Sequence, residues 1–186
     1  MKRHWQYLKY VLRHKWFVFQ AGLFLKVPIW ILILHDWDKF MPDEWFPYVN
    51  YFYGEYQYKD VSDIPGGLKS LGIYPKTKAD VEREFALAWN AHQKRNKHHW
   101  QYWMITWDRG ETECLEMPVN YRLEMLADWM GAGKALGKPD VRSWYETNKE
   151  KIKLHPETRG LVEWALIRDN ALTGGHFDPM ATGELR

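Results

Sequence analysis

The sequence predicts an all-α fold: a single domain over residues 1–186, built as a bundle of six or seven helices. Three observations carry that prediction. Apolar residues recur at helical spacing over stretches free of glycine and proline. The longest such stretch places its acids early and its bases late, as the helix macrodipole favours. Glycines and prolines gather between these stretches. At 186 residues and 22.4 kDa, the chain is long enough to bury a core without disulfide staples.

Residues His4–Gln20 lack glycine and proline and carry Leu8, Val11, Leu12 and Val18 at helical spacing, which predicts the first helix. A turn over Gly22–Pro28 follows. Pro28 suits the first turn of a second helix, where its missing N–H costs little. That helix is almost entirely apolar through Leu34 and is expected in the core. Pro42 begins a further turn, with Asp43 and Glu44 in a first helical turn where acids are favoured. From about 54 to 78, Pro65, Gly66, Gly67, Gly72 and Pro75 break any long element, so a long loop with one short helical turn is expected. Helix resumes over about 78–106, and a turn containing Gly110 spans Asp108–Pro118. A helix over about 119–130 is expected to end at Gly131–Gly133. Two more follow at about 141–151 and 157–168, and an irregular tail begins at about Thr173.

Composition removes several function classes. Lys plus Arg is 26 and Asp plus Glu is 24, a net charge of +2, so no global field draws in nucleic acid or an acidic membrane, and no stable nucleic-acid complex is expected. Cys114 stands alone, which excludes an internal disulfide framework and paired-cysteine zinc sites. The stretch Phe17–Leu34 approaches the ~20 residues of a spanning helix. Gln20, Lys26 and Pro28 interrupt it, and a mid-span lysine would cost ~2.5–3.5 kcal/mol. No convincing leader cleavage site follows it. A cytoplasmic protein with no membrane partner is expected. The aromatic content is high, with 12 Trp, 11 Tyr and 8 Phe, and it raises the question of a binding surface or only a core.

Histidine and aspartate carry the chemistry. His14 lies on the first helix, His35-Asp36 ends the second, His92, His98 and His99 lie on the long stretch, and Asp128 lies on the next helix. Imidazole and carboxylate are natural ligands for Zn, Mn, Fe, Ni or Co. A charged Asp36 at the end of an apolar helix is costly to bury unless it is paired or metal-bound. His92 and His99, seven residues apart, would share a helical face with Asn96 between them, their Cα atoms ~10.5 Å apart, a spacing suited to two ions or to an ion and a phosphate. His98 would point away from that face. Glu124 and Asp128, four apart, face the same way among apolar neighbours.

The order His14, His35-Asp36, Asp128 resembles the H…HD…D signature of the HD-domain superfamily of metal-dependent phosphohydrolases. HDWDKFMP, with Lys39 three residues after Asp36, is similar to the HDIGK-type motif of the HD-GYP branch, although the GYP portion is absent. The segments HDWDKF, HQKRNKHHWQYW and EMLADW together resemble an uncharacterised bacterial and tailed-phage family over most of the chain. The HD resemblance implies an all-α HD-like fold with His14, His35, Asp36 and Asp128 around one divalent ion (Mn, Co, Ni, Fe or Zn). It implies in-line attack of a metal-activated water on phosphorus, with Asp36 and Lys39 catalytic. His92 and His99 would serve a second ion or a phosphate. Lys94, Arg95 and Asn96 would contact a small-molecule phosphate substrate such as a nucleotide. Two other classes compete: a di-iron oxygenase of the same fold, and a non-enzymatic phage or bacterial interaction protein with a structural metal. A nuclease with a ββα metal motif would need a hairpin before His92, where the residues read as helix.

Overall fold

A computed structural model describes residues 1–168, so the tail expected from about Thr173 lies outside the described residues. Among the described residues are eight α-helices: α1 (Lys2–Phe24), α2 (Ile29–Leu34), α3 (Pro42–Tyr53), α4 (Gly66–Ser70), α5 (Lys78–Arg95), α6 (Val119–Ala135), α7 (Val141–Asn148) and α8 (Pro156–Arg168). Strands β1 (Met104–Thr106) and β2 (Thr112–Cys114) form one small antiparallel hairpin. The all-α class is observed. The count exceeds the expected six or seven by α4, a helix of five residues inside the segment expected as a loop with one short helical turn. The chain gathers into two compact units: Met1–Val11 with Trp37–His92, and Leu12–Asp36 with the chain from Gln93 onward.

The first unit has an aromatic core. Tyr7, Val11, Tyr48, Val49 and Ala88 are buried, with Phe40, Trp45, Tyr53, Phe85 and Trp89 packed against them. The rings meet edge to face, Tyr7 on Trp45 at 4.9 Å and Tyr48 on Phe85 at 5.0 Å, the geometry that the ring quadrupole favours. α3 opens on Pro42 with Asp43 and Glu44 in its first turn, as expected. α5 starts where Thr77 and Asp80 cap each other: the Asp80 N–H donates to Thr77 Oγ1 at 3.2 Å, and the Thr77 N–H to Asp80 Oδ2 at 3.1 Å. Between these helices, residues 54–77 are mostly irregular, as the glycines and prolines predicted. They hold two short helical pieces rather than one, the 3-10 turn Val61–Asp63 and α4. Ile64 is buried and anchors the segment.

The second unit has an aliphatic and methionine core, with Val18, Met117, Met125, Leu126, Met130, Val141, Val162 and Leu166 among its buried residues. Three expectations change here. α6 runs on to Ala135 through Gly131 and Gly133. Gly131 is a contact rather than a break: a Cβ there would lie 2.4 Å from Val18 Cγ2 and 2.6 Å from the Val18 backbone nitrogen. α2 is core on one side only. Ile31 and Leu32 are buried, whereas Ile29, Trp30, Ile33 and Leu34 are exposed, so an all-apolar helix is not thereby a wholly buried one. The long helix expected over 78–106 stops at Arg95. A turn closes with the His99 N–H on the Asn96 carbonyl at 3.1 Å, and a 3-10 turn spans Trp100–Trp103. Met104, Ile105 and Thr106 then pair with Cys114, Glu113 and Thr112. Two of those three are β-branched and suit a strand better than a helix end.

Candidate metal centres

The second unit assembles a buried polar centre from four chain segments. His14 projects from α1 and His35 caps the C-terminus of α2. Asp36 follows in a left-handed conformation, φ 52°, one of two non-glycine residues with positive φ among the described residues. Aspartate tolerates that region better than most residues, but strain of this kind concentrates at functional sites. The sharp turn leaves the Asp36 carboxylate beside both histidines rather than continuing the helix. α6 supplies Asp128 and, one turn earlier on the same face, Glu124, as the i,i+4 spacing predicts.

The distances describe a group that could hold a metal ion. His14 Nε2 stands 3.3 Å from Asp36 Oδ2 and 3.2 Å from Asp128 Oδ1. His35 Nε2 stands 3.5 Å from each of those two oxygens. All four ligand atoms lie within 4.8 Å of one another. Atoms held ~2.1 Å from one ion are about 3.0–3.4 Å apart at octahedral or tetrahedral angles, so the spacing fits a shared divalent cation. Two neutral imidazoles and two carboxylates also balance its charge. His35 adds an independent sign. Its Nδ1–H donates to Glu124 Oε1 at 2.9 Å, which leaves the lone pair of the neutral ring on Nε2, and that buried atom makes no hydrogen bond. Lys15 donates to the His35 carbonyl and fixes the backbone at the same point.

The electrostatics agree. Burial works against the Asp128 carboxylate, but the close approach of His14 and His35 outweighs it and holds its pKa well below the usual range. Glu124 follows the same logic: burial raises it, while His35 and His98 bring it below its ordinary value. His98 Nε2 lies 3.3 Å from Asp36 Oδ1, and its Nδ1 lies 3.2 Å from Glu124 Oε1. Burial opposes a charge on this ring, yet Asp36 and Glu124 overcome it and raise the pKa to about 10. His98 thus bridges two of the centre's acids, Asp36 and Glu124, which favour its protonated form.

The first unit holds a second buried cluster. His92 Nδ1 is 2.9 Å from Glu44 Oε2 and 3.1 Å from Asp38 Oδ2. Glu44 and His92 are fully buried and Asp38 nearly so. Burial raises the Glu44 pKa; His92 opposes that shift and Asp38 adds to it. These three residues also form a group that could hold a metal ion.

The sequence-selected residues distribute as follows. His14, His35, Asp36 and Asp128 come together as one group. The shared helical face of His92 and His99 does not exist, because α5 ends before His99 is reached; His92 belongs to the first unit, and His99 is half-buried in the second, its ring 4.3 Å from that of His98. For the same reason His98 does not point away but is buried on Asp36 and Glu124. Lys39 lies in the first unit with Nζ 5.8 Å from the centre of the Tyr48 ring. Lys94 is exposed and donates to the Gln101 carbonyl at 3.0 Å. Arg95 is exposed, and Asn96 accepts from His99 through its carbonyl. Among the many tryptophans, Trp37 is exposed, whereas Trp129 stacks on Tyr145 at 5.9 Å and Trp100 packs on the core. Sequence reasoning left Glu124, Glu44 and His98 out of the site. Glu124 was discoverable from its place one turn before Asp128 in an apolar run; no local signal marks His98.

Residues 3–167 match a family of unknown function, DUF5662, and the chain belongs to that family. Comparison with curated proteins and with solved structures finds no match.

Proposed function

We propose that this member of a family of unknown function is a metal-dependent phosphohydrolase of the HD-domain type, acting on a nucleotide or another small phosphoester. One observation carries the reading: the ligand atoms of His14, His35, Asp36 and Asp128 stand 3.2–3.5 Å apart in the His–Asp pairs, in the order of the H…HD…D signature. These residues would hold a divalent ion such as Mn, Co, Ni, Fe or Zn. When bound, such an ion supplies Lewis acidity and lowers the pKa of water. The chain's own contributions are distinct from that. Glu124 fixes the tautomer and orientation of His35, and His98 holds Asp36 in place. Asp128, with 14% of its side chain exposed against 4% or less for His14, His35 and Asp36, marks the side open to a substrate. Lys94, Arg95 and Asn96, on the segment that leads into His98, supply two charges and an amide to a phosphate.

The burial of His14, His35 and Asp36 favours a second reading, a closed structural metal site of an interaction protein. Metal content of the purified protein, followed by assays on nucleotides and a generic phosphoester with Mn, Co or Ni, separates the two. The hydrolase reading expects bound metal and turnover, with turnover lost and helicity kept when His35 and Asp36 are both replaced by alanine. Loss of helicity in that variant, with no turnover in the native protein, supports the structural metal. Two irons with oxygen consumption would point to an oxygenase instead. No metal and no turnover on any phosphoester overturns the proposal.

A further inference from the structure

The polar centre explains the buried histidines but not the opposite kind of oddity, large apolar side chains left in water. In the second unit, Leu12, Trp16 and Leu23 of α1 and Ile29, Trp30, Ile33 and Leu34 of α2 are between 50 and 59% exposed. On α1 they are spaced by four and seven residues, which places them on one face of the helix. α1 and α2 pack together where Gly22 lies against Leu32, a Cβ on Gly22 falling 2.2 Å from Leu32 Cδ2, and only residues 25–28 separate the two helices along the chain. The other side of α2 is held by Val27, Ile31 and Leu32 packed with Phe19, Leu25 and Leu123, which fixes the orientation of its exposed side. An apolar surface of this extent marks an interaction site.

Charge identifies what it meets. From residue 1 to residue 35 the chain carries Lys2, Arg3, Lys9, Arg13, Lys15 and Lys26 and no aspartate or glutamate, in a protein whose net charge is only +2. Arg13 and Lys26 are exposed among the apolar residues of this face. We propose that α1 and α2 dock on an anionic phospholipid surface, lying in the interface with their leucines, isoleucines and tryptophans inserted and their bases on the headgroups. No helix of the described residues is long and apolar enough to cross a membrane, so the association is peripheral. A second copy of the chain fits less well, because an isologous contact through this face would set its bases against their own copies. Nucleic acid would use the bases but has no place for a row of leucine and isoleucine. The proposal is independent of the metal reading and amends the sequence-based expectation of no membrane partner, which rested on the interrupted apolar stretch and on the small net charge of the whole chain rather than on its distribution.

Vesicle flotation of the whole protein tests it, with phosphatidylserine–phosphatidylcholine vesicles against phosphatidylcholine alone, at low and high salt. Binding should favour the anionic vesicles and weaken with salt. Trp16→Glu together with Trp30→Glu should lower it at least roughly tenfold with unchanged helicity, since both side chains are exposed. Lys26→Gly is the control for folding. Lys26 sits in the left-handed region, φ 59°, which glycine adopts freely, so this variant should keep its melting temperature while losing about fivefold in vesicle binding. Equal binding to neutral and anionic vesicles, or binding to neither, overturns the proposal. So does a concentration-dependent dimer, or oligonucleotide binding, that the tryptophan variants abolish without any vesicle binding.

Discussion

Both units bury a histidine whose Nδ1 lies 2.9 Å from a glutamate, yet the two pairs differ in electrostatic state. In the first unit one imidazole serves two acids, Glu44 and Asp38, and burial raises Glu44 without enough positive charge to bring it down. In the second unit three imidazoles (His14, His35 and His98) face three acids (Asp36, Glu124 and Asp128), and both Glu124 and Asp128 lie below their usual range. A buried carboxylate stays ionised only where hydrogen bonds and opposite charge repay its lost hydration. An ionised carboxylate is also what a divalent cation requires. The ratio of histidine to acid therefore separates a centre already poised for metal from a cluster whose acids are not.

Asp36→Asn gives the largest effect on this contrast. Asparagine keeps the left-handed turn but removes a ligand charge, so affinity for Mn should fall about 100-fold or more by calorimetry, with native helicity. The native protein, with metal at about 100 times its Kd, should gain roughly 2.7 kcal/mol of stability that a chelator removes. The Asp36→Asn variant should show no such dependence. Next is a matched pair. Glu124→Gln should weaken metal binding about 10–100-fold, because the His35 ring loses the carboxylate that orients it. Glu44→Gln, the same change in the first unit, should leave metal content unchanged. A parallel loss in Glu44→Gln would break the comparison and make the first cluster a metal site as well.

The sequence carried the four candidate residues further than it carried their surroundings. The set His14, His35, Asp36 and Asp128 is what the resemblance to the H…HD…D order implies, and α1, α2 and α6, which carry or end at these residues, form close to where the apolar pattern puts them. The differences over residues 96–106 share one cause. Helical spacing continues through Asn96–Trp103, but α5 stops at Arg95, and Met104–Thr106 pair with Thr112–Cys114, a pairing not visible in a local window. His98 was therefore assigned to the wrong face and His99 to a face that does not form. The exposed side of α2 was missed because composition reports that a helix is apolar, not what covers it. Gly131 was misread in the opposite sense, as a stop signal, when its meaning is a neighbour.

That neighbour links the fold to the centre. Gly131 lies against Val18, one turn beyond His14 on α1, and Asp128 lies one turn before Gly131 on α6. The missing side chain lets the two helices approach closely enough for His14 Nε2 to reach 3.2 Å from Asp128 Oδ1. Gly131→Ala must push against the Val18 backbone and should cost about 1–3 kcal/mol by denaturant melts, with weaker metal binding as α1 and α6 separate. Gly160→Ala supplies the smallest effect and the control. It lies inside α8 with nothing within 4 Å of an added Cβ, so alanine should raise stability by about 0.5–1 kcal/mol and leave metal binding unchanged. If Gly131→Ala lowered stability but not metal affinity, the centre would owe its geometry to the Asp36 turn and Glu124 alone, and helix approach would be a property of the core.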